Sequence, residues 1–220
     1  MNLLETYFSQ EATLDNMGYY VKVPRTNKVK TFKVSSNVLR EGAWNFDNGD
    51  EDSLGDRPLT YPIKQLLKPE GPDGSKCLVF TSGSETMLRR RISPLANCVI
   101  EFSLFLDEIP QTPKLIMSGN GDVCQGGFFF KIQEDGKLRV GRYGDHNYVL
   151  SRDMLIPQKW YSIKFTFDEK KGILFIDGKK CGESDFKPYR DFRNRFFTLG
   201  DKKDGFEGKI DNLKFSNCTK

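Results

Sequence analysis

The chain has 220 residues, of which 37% are hydrophobic and 29% charged, and its formal net charge is +4. This balance indicates a packed core with a well-solvated surface and excludes an intrinsically disordered chain. The positive excess is too small to indicate nucleic-acid binding, and no apolar run approaches the roughly 18 residues of a membrane helix.

Residues 1–40 are predicted to form an N-terminal arm, with a short helix over residues 1–18 followed by two strands. Leu3, Leu4, Tyr7 and Phe8 share one side of that helix. The first residues lack the basic start and apolar centre of a signal peptide. We therefore expect a protein of the cytoplasm or of a larger assembly, or a secreted or cell-surface protein whose leader has been removed.

Residues 41–220 are predicted to form one all-β domain. Residues 57–75 hold four prolines and are predicted to be a long loop. After it, short strands and turn residues follow each other at regular intervals, which is typical of a two-sheet antiparallel β-sandwich. The predicted strands cover residues 77–80, 98–107, 114–118, 127–133, 138–143, 148–150, 160–167, 173–176, 196–200 and 206–215.

The segment from Trp160 to Lys179 has the clearest pattern. Alternate residues from Tyr161 to Phe167 are apolar, which is the period of a half-buried strand. Residues 168–172 supply a five-residue connection that ends in glycine, and Asp177 and Gly178 supply a tight turn. The segment is therefore predicted to be a pair of antiparallel strands covered by a second sheet.

Within residues 206–215 the apolar parity changes. Ile210 belongs to one parity and Leu213 to the other. Because side chains alternate strictly along a strand, this change predicts a bulge or sharp bend at Asp211 and Asn212.

Several short motifs follow each other along the chain in a characteristic order. They are Trp44-x-Phe46-Asp47, Gly74-x-x-x-Leu78-x-Phe80, the strand Cys98–Asp107, Trp160-Tyr161-x-Ile163, Phe175-Ile176-Asp177-Gly178-Lys179, and Leu199-Gly200 before Phe206-x-Gly208-x-Ile210-Asp211. Over residues 42–216 this order resembles the concanavalin A-like lectin/glucanase superfamily, specifically its laminin-G-like jelly rolls. The resemblance implies a curved sandwich whose concave face or rim loops bind carbohydrate or protein. It leaves the function open, because this fold hosts lectins, adhesion modules, glycosidases and lyases.

The resemblance also implies one structural calcium ion. Members of the superfamily often hold it between the N-terminal acidic segment and the last strand, through carboxylate and backbone oxygens. Asp47 and Asp211 occupy the matching positions. The alternative is that both are simple turn and bulge residues, and no other cofactor is expected.

Residues 142–148 gather polar and aromatic side chains around the chain's one histidine. Arginine with tyrosine or histidine can serve a polysaccharide lyase, but the lyase motifs of this fold are missing. We interpret the segment as a hairpin loop that is a candidate for ligand contact. The candidate residues are Arg142, Tyr143, Asp145, His146 and Tyr148.

The paired carboxylates of a glucanase are also missing. The nearest candidates, Glu101 and Asp107, are six residues apart on one strand and thus about 20 Å apart. Paired catalytic carboxylates lie roughly 5–10 Å apart. We therefore expect the chain not to be an enzyme.

A basic patch is the other candidate binding surface. It would hold a sulfated glycan or an acidic protein surface, and a solvated charged face is the alternative. Its residues are Arg89, Arg90, Arg91, Arg190, Arg193 and Arg195.

Five cysteines are too widely spaced for a metal-binding knuckle, and their odd number leaves at least one thiol unpaired. Cys77 and Cys98 lie within apolar strands and are expected to be buried and free. Cys181 and Cys218 are the better candidates for a bridge.

The leading hypothesis is a non-catalytic module that binds a glycan or a protein partner through its loops. The alternatives are a structural protein that self-associates or packs into a larger assembly through residues 1–40, and a polysaccharide lyase or glycoside hydrolase.

Overall fold

The structure is a computed structural model that describes residues 42–47, 66–88, 97–119, 128–143, 146–168, 170–186 and 197–217. The predicted arm of residues 1–40 lies outside the described residues. That arm, and the domain boundary at residue 41, therefore stay predictions.

The described residues form fourteen strands joined by turns and short loops. No helix occurs among them, and hence none that is long and apolar enough to cross a membrane. The strands are β1 (Gly42–Trp44), β2 (Leu67–Lys68), β3 (Cys77–Phe80), β4 (Glu85–Leu88), β5 (Asn97–Leu106), β6 (Lys114–Gly119), β7 (Phe128–Ile132), β8 (Leu138–Arg142), β9 (Tyr148–Leu150), β10 (Trp160–Asp168), β11 (Lys171–Ile176), β12 (Lys179–Asp185), β13 (Phe197–Gly200) and β14 (Gly208–Asn217).

The strands pair into two antiparallel sheets. The eight-stranded sheet has the order β12-β11-β10-β5-β14-β3-β2, with β1 also paired to β14. The six-stranded sheet has the order β4-β13-β6-β7-β8-β9. The predicted all-β, two-sheet antiparallel sandwich is confirmed.

Phenylalanine rings join the two sheets across the core. Phe165 of the eight-stranded sheet lies edge-on to Phe128 and Phe130 of the six-stranded sheet, with ring centroids 5.6 and 5.7 Å apart. Phe102 meets Phe130 in the same way at 5.5 Å. All four are buried, and edge-to-face pairs add to the stabilisation from burial alone. Residues of the opposite parity therefore form the two outer faces of the sandwich.

The predicted bulge and tight turn are both present. The register between β14 and β5 shifts between Asp211 and Lys214, and Asn212 has a φ of 50°. Asp177 and Gly178 have φ values of 50° and 76°, the positive pair that a two-residue turn with the twist of a β-hairpin requires.

One prediction about a connection was wrong. Lys171 pairs with Asp168, so only two residues separate β10 from β11 instead of five. The chain also continues after Gly178 into β12, which the sequence pattern did not predict.

The cysteine predictions are confirmed for Cys77 and Cys98, which are buried and whose sulfur atoms form no disulfide. The bridge predicted for Cys181 is wrong, because its thiol is free and donates to the carbonyl of Leu174 at 3.4 Å. Its intended partner, Cys218, lies outside the described residues. Burial raises the pKa of the Cys77 and Cys181 thiols to about 11.

Candidate functional site

Aromatic and cationic side chains gather on the outer face of the six-stranded sheet. Phe129 lies opposite Gly141, and Gly141 lies opposite Tyr148, so these three positions of β7, β8 and β9 share one face. Arg139 lies opposite Lys131 in the neighbouring row of the same face. The outer-face cluster is defined here as Phe129, Lys131, Gln133, Arg139, Tyr143 and Tyr148.

The cluster is held together by stacked rings and cations. The guanidinium carbon of Arg139 lies 4.0 Å from the Tyr148 ring centroid and 5.7 Å from that of Phe129. Lys131 Nζ lies 5.6 Å from the Phe129 centroid, and the Tyr143 ring packs at a tilt against Phe129 with the centroids 5.0 Å apart. A cation over an aromatic face is attracted by the ring quadrupole. Phe129 therefore forms the centre of the cluster, with the other side chains around it.

Gly141 allows the Phe129 ring to lie flat across the sheet. A Cβ atom at position 141 would stand 2.5 Å from Phe129 Cζ, which is too close for two carbon atoms. Phe129 is 8% exposed, whereas Tyr148 is 42% exposed. Tyr148 therefore supplies the accessible ring of the cluster.

A small cavity of about 180 Å³ opens beside the stacked pair of Arg139 and Tyr148. Its polar side includes Gln133, and two donor atoms there, Gln133 Nε2 and Arg139 Nε, are buried without a hydrogen-bond partner among the described residues. Its lining residues are Gln133, Glu134, Asp135, Arg139, Tyr148 and Leu150.

Apolar side chains extend the surface beyond the cavity. In the part of the chain that the structure describes, the large hydrophobic side chains that are exposed all fall within residues 148–156. Met154 lies near Gly136, in the turn that follows Gln133, and so borders the same edge of the sheet. These side chains are Tyr148, Leu150, Met154 and Ile156.

The structure separates the residues predicted for ligand contact. Tyr143 and Tyr148 both belong to the cluster, and His146 is exposed in the loop between them. Asp145 lies outside the described residues. A ligand-contact role for these four residues stays a prediction.

Arg142 lies on the opposite parity and points into the sandwich. It is 2% exposed, and its guanidinium carbon lies 5.6 and 5.4 Å from the ring centroids of Phe167 and Phe186. A side chain buried in this way has no surface to offer a ligand, so the geometry gives Arg142 a packing role.

Sequence reasoning missed Phe129, Lys131, Gln133 and Arg139. Their signal is the register between β7 and β8, which places these residues on the face opposite Phe128, Phe130 and Ile132. The sequence alone does not give that register. The predicted basic patch of Arg89, Arg90, Arg91, Arg190, Arg193 and Arg195 lies outside the described residues.

The predicted metal residues lie near each other in space. Asp211 is 1% exposed, accepts hydrogen bonds from the Asn212 amide at 2.7 Å and the Ser75 hydroxyl at 3.2 Å, and has its pKa raised to about 6. Burial is the main cause, and the negative charges of Asp47 and Asp73 add to it.

Asp47 is held by Lys76. Its carboxylate accepts the Lys76 amide at 3.0 Å, and its carbonyl accepts the Lys76 ammonium at 3.1 Å. The described residues contain no group of three or more histidine, cysteine and acidic side chains placed to hold a metal ion. An ion at Asp47 and Asp211 would therefore need backbone, hydroxyl or water oxygens as further ligands.

A second cavity, of about 250 Å³, lies at the end of the sandwich where β5 and β14 meet the neighbouring loops. Glu108, Lys114 and Glu207 line it, above a floor that includes Leu106 and Phe206. Glu101, which with Asp107 was the nearest candidate for a catalytic pair in the sequence, forms an ion pair with Lys164 at 3.0 Å.

Together the two sheets and their aromatic outer face define a lectin-like β-sandwich. The profile of the Concanavalin A-like lectin/glucanases superfamily matches residues 100–220, more than half of the chain. The chain therefore belongs to this superfamily. A comparison with curated proteins finds no match.

Solved structures share the fold at low sequence identity. A Trypanosoma rangeli sialidase in complex with sialic acid matches with a TM-score of 0.63 and 14% identity, over 91% of this chain and 34% of the sialidase. The botulinum neurotoxin serotype D binding domain matches with a TM-score of 0.63 and 12% identity, over 82% of this chain and 48% of that one.

A further neighbour matches over nearly its whole length. It is domain 4 of AbnA, an extracellular arabinanase from Geobacillus stearothermophilus, in complex with arabinotriose, with a TM-score of 0.56 and 16% identity over 80% of this chain and 91% of that one. The chain spans only about a third to a half of the sialidase and neurotoxin chains. At these identities the likeness shows the fold alone.

Proposed function

We propose that this chain is a non-catalytic carbohydrate-binding module that holds a saccharide on the outer-face cluster. The observation that carries the proposal is the exposed Tyr148 ring beside a cavity lined by Gln133 and Arg139, each of which has a buried donor without an acceptor in the described part of the chain. Ligand sites typically combine an apolar or aromatic wall with a few placed polar groups. The apolar face of a sugar ring can stack on Tyr148, while its hydroxyl oxygens accept from the two donors.

The neighbouring structures give independent support. One is a domain of similar size in complex with arabinotriose, and another is a sialidase in complex with sialic acid. Both complexes contain a saccharide, which is why we prefer a glycan to a protein partner. The enzymatic activities of those proteins are not carried over, because the likeness is one of fold.

Isothermal titration with arabinotriose and a panel of neutral and acidic oligosaccharides tests the proposal. We expect at least one of them to bind, and Tyr148→Ala to weaken that binding roughly fivefold to tenfold, as expected from about 1–1.5 kcal/mol of ring stacking. Trp160→Ala is the matched control, because Trp160 stacks on Phe105 at 5.5 Å in the opposite sheet. Absence of binding across the panel, or equal losses in both variants, would contradict the proposal.

A glycoside hydrolase is the second candidate, because Glu108 and Glu207 line one cavity. Two carboxylates beside a bound glycosidic bond can act as acid and nucleophile or base. Release of reducing sugar from the same panel, abolished by Glu108→Gln or Glu207→Gln but not by Tyr148→Ala, would favour this candidate over the module.

We also propose that a calcium ion binds at Asp47 and Asp211. Asp211 is a buried carboxylate with no cationic partner among its hydrogen-bond donors, and a divalent cation would offset its charge. When bound, the ion would contribute stability by tying the start of the domain to the last strand. Millimolar calcium should then raise the melting temperature of the wild type after treatment with EDTA, but not that of Asp211→Asn. An equal rise in both proteins, or none in the wild type, would refute the site.

A further inference from the structure

Cationic side chains lie over aromatic rings on the outer faces of both sheets, but only some of these cations are paired with a carboxylate among the described residues. On the outer face of the eight-stranded sheet, Lys209 Nζ lies 4.5 Å from the Phe105 centroid and pairs with Glu70 at 2.8 Å. In the outer-face cluster, Lys131 and Arg139 stack in the same way on Phe129. Neither of them has a carboxylate partner in the described part of the chain. The two positive charges of the cluster are therefore available to a ligand.

Two buried donor groups that lack acceptors in the described part of the chain indicate that the ligand would lie at the cavity beside Tyr148. Gln133 and Arg139 line the 180 Å³ cavity, and the Nε2 atom of the first and the Nε atom of the second are buried without an acceptor among the described residues. Folded proteins leave few buried donors unpaired, because each one loses its hydrogen bonds to water without replacement. The cavity is smaller than the roughly 300 Å³ of sites for drug-sized ligands, so it fits one sugar unit or its charged substituent.

The local charge favours an anion over a neutral hydroxyl. Asp135 also lines the cavity, but Lys137 pairs with it at 3.0 Å, so these two charges cancel. Lys131 and Arg139 then contribute +2 and Glu134 contributes −1, which leaves +1 at the cluster. A guanidinium binds carboxylate or sulfate through two parallel hydrogen bonds, an arrangement that a hydroxyl group cannot complete.

We propose that the outer-face cluster selects an acidic saccharide, whose carboxylate or sulfate group is held by Arg139 and Gln133 while its ring lies on Tyr148. This inference rests on the proposed function and narrows it to one class of glycan. Lys131 adds long-range attraction without direct contact, so binding weakens as the salt concentration rises.

The test compares saccharides that differ only in charge. The full chain is titrated with tri-galacturonate and with its uncharged methyl ester, and separately with dextran sulfate and with dextran. We expect at least one acidic member to bind about tenfold to a hundredfold more tightly than its neutral match, as expected for hydrogen bonds between charged groups. The pair that shows the preference tells whether carboxylate or sulfate is the preferred anion.

Substitutions at Arg139 test whether this residue causes the preference for acidic saccharides. Arg139→Gln should remove it, and Arg139→Lys should keep part of it, because the charge remains while the planar fork is lost. Arg152→Gln removes the same charge from an exposed arginine outside the cluster and should change nothing. Thermal melting checks that each variant is folded.

The possible outcomes distinguish a failure of the acidic preference from a failure of the proposed carbohydrate binding. Equal binding of charged and neutral members, with Tyr148→Ala still damaging, would overturn the acidic preference and leave the carbohydrate module intact. A preference that persists in Arg139→Gln would overturn the assignment to this site. Failure of all these saccharides and of arabinotriose to bind would overturn both proposals.

Discussion

Asp211→Asn should make the protein more stable at neutral pH when no calcium is present. The carboxylate is buried, and its pKa is raised from 3.8 to about 6. Well below pH 3.8 the group is protonated in the folded and unfolded chains alike, so its charge costs nothing. As pH rises from 4 to 6, the folded protein holds its proton more tightly than the unfolded chain does, and the free energy of unfolding falls. Above pH 6 the full cost of the buried charge is present.

The size of this effect follows from the two pKa values of Asp211. A difference of about 2 pH units corresponds to about 3 kcal/mol at 1.36 kcal/mol per unit. Asparagine keeps an oxygen for the Asn212 amide, which bonds the carboxylate at 2.7 Å, so most of the hydrogen bonding survives. We expect the variant to gain about 2–3 kcal/mol over the wild type at pH 8 and close to nothing at pH 4.

Urea denaturation of both proteins in EDTA, at pH values from 4 to 8, measures the difference between them. Other carboxyl groups titrate in the same range, but they cancel because they are present in both proteins. The reasoning is refuted if the difference does not change with pH, or if the wild type is the more stable protein at pH 8.

Three further predictions test the core, the thiols and the cluster. Phe165→Ala should lower the free energy of unfolding by about 3–5 kcal/mol, because the ring is fully buried, and a loss under about 1 kcal/mol in urea denaturation would contradict this packing. Cys77 and Cys181 should react with iodoacetamide at pH 8 about a hundredfold more slowly in the folded than in the unfolded protein, because a thiol with a pKa of about 11 forms little thiolate. Peptide mass spectrometry measures the two rates, and equal rates would refute the burial of these thiols. Gly141→Ala should push the Phe129 ring off the sheet and weaken saccharide binding while the protein stays folded, and unchanged affinity in calorimetry would argue against the cluster.

The central strands of the sandwich were predictable because one face of each strand is apolar and the other is mostly polar. Every second residue is apolar from Cys98 to Leu106 in β5 and from Tyr161 to Phe167 in β10, so the sequence shows which residues face the core. The bend at Asp211 was predictable for the same reason, since a change of apolar parity within one strand requires an extra residue.

Edge strands and packing glycines were not predictable in this way. The edge strand β12 is mostly polar, with Cys181 as its one buried apolar residue, so it lacks the alternation that marks a strand. Gly172 was interpreted as a turn residue, but it lies in β11, where a Cβ atom would stand 2.6 Å from the Phe186 ring and 2.8 Å from the Phe165 ring. Only the three-dimensional contacts reveal that reason for a glycine.

Only some residues of the candidate site could be recognised from the sequence. Tyr143 and Tyr148 stood out because they flank the loop with the one histidine. Arg139 and Phe129 did not, because they lie inside strands and become neighbours of Tyr148 only through the pairing of β7, β8 and β9. A site on the face of a sheet depends on register, which local sequence does not specify.

We place the saccharide on the outer face of the six-stranded sheet. Mapping backbone amide shifts by NMR during titration with tri-galacturonate or arabinotriose tests this placement directly. We predict that the largest shifts fall in β7, β8 and β9, around Phe129, Arg139 and Tyr148. Shifts concentrated around Glu108 and Glu207, or on the outer face of the eight-stranded sheet near Trp160, would contradict it.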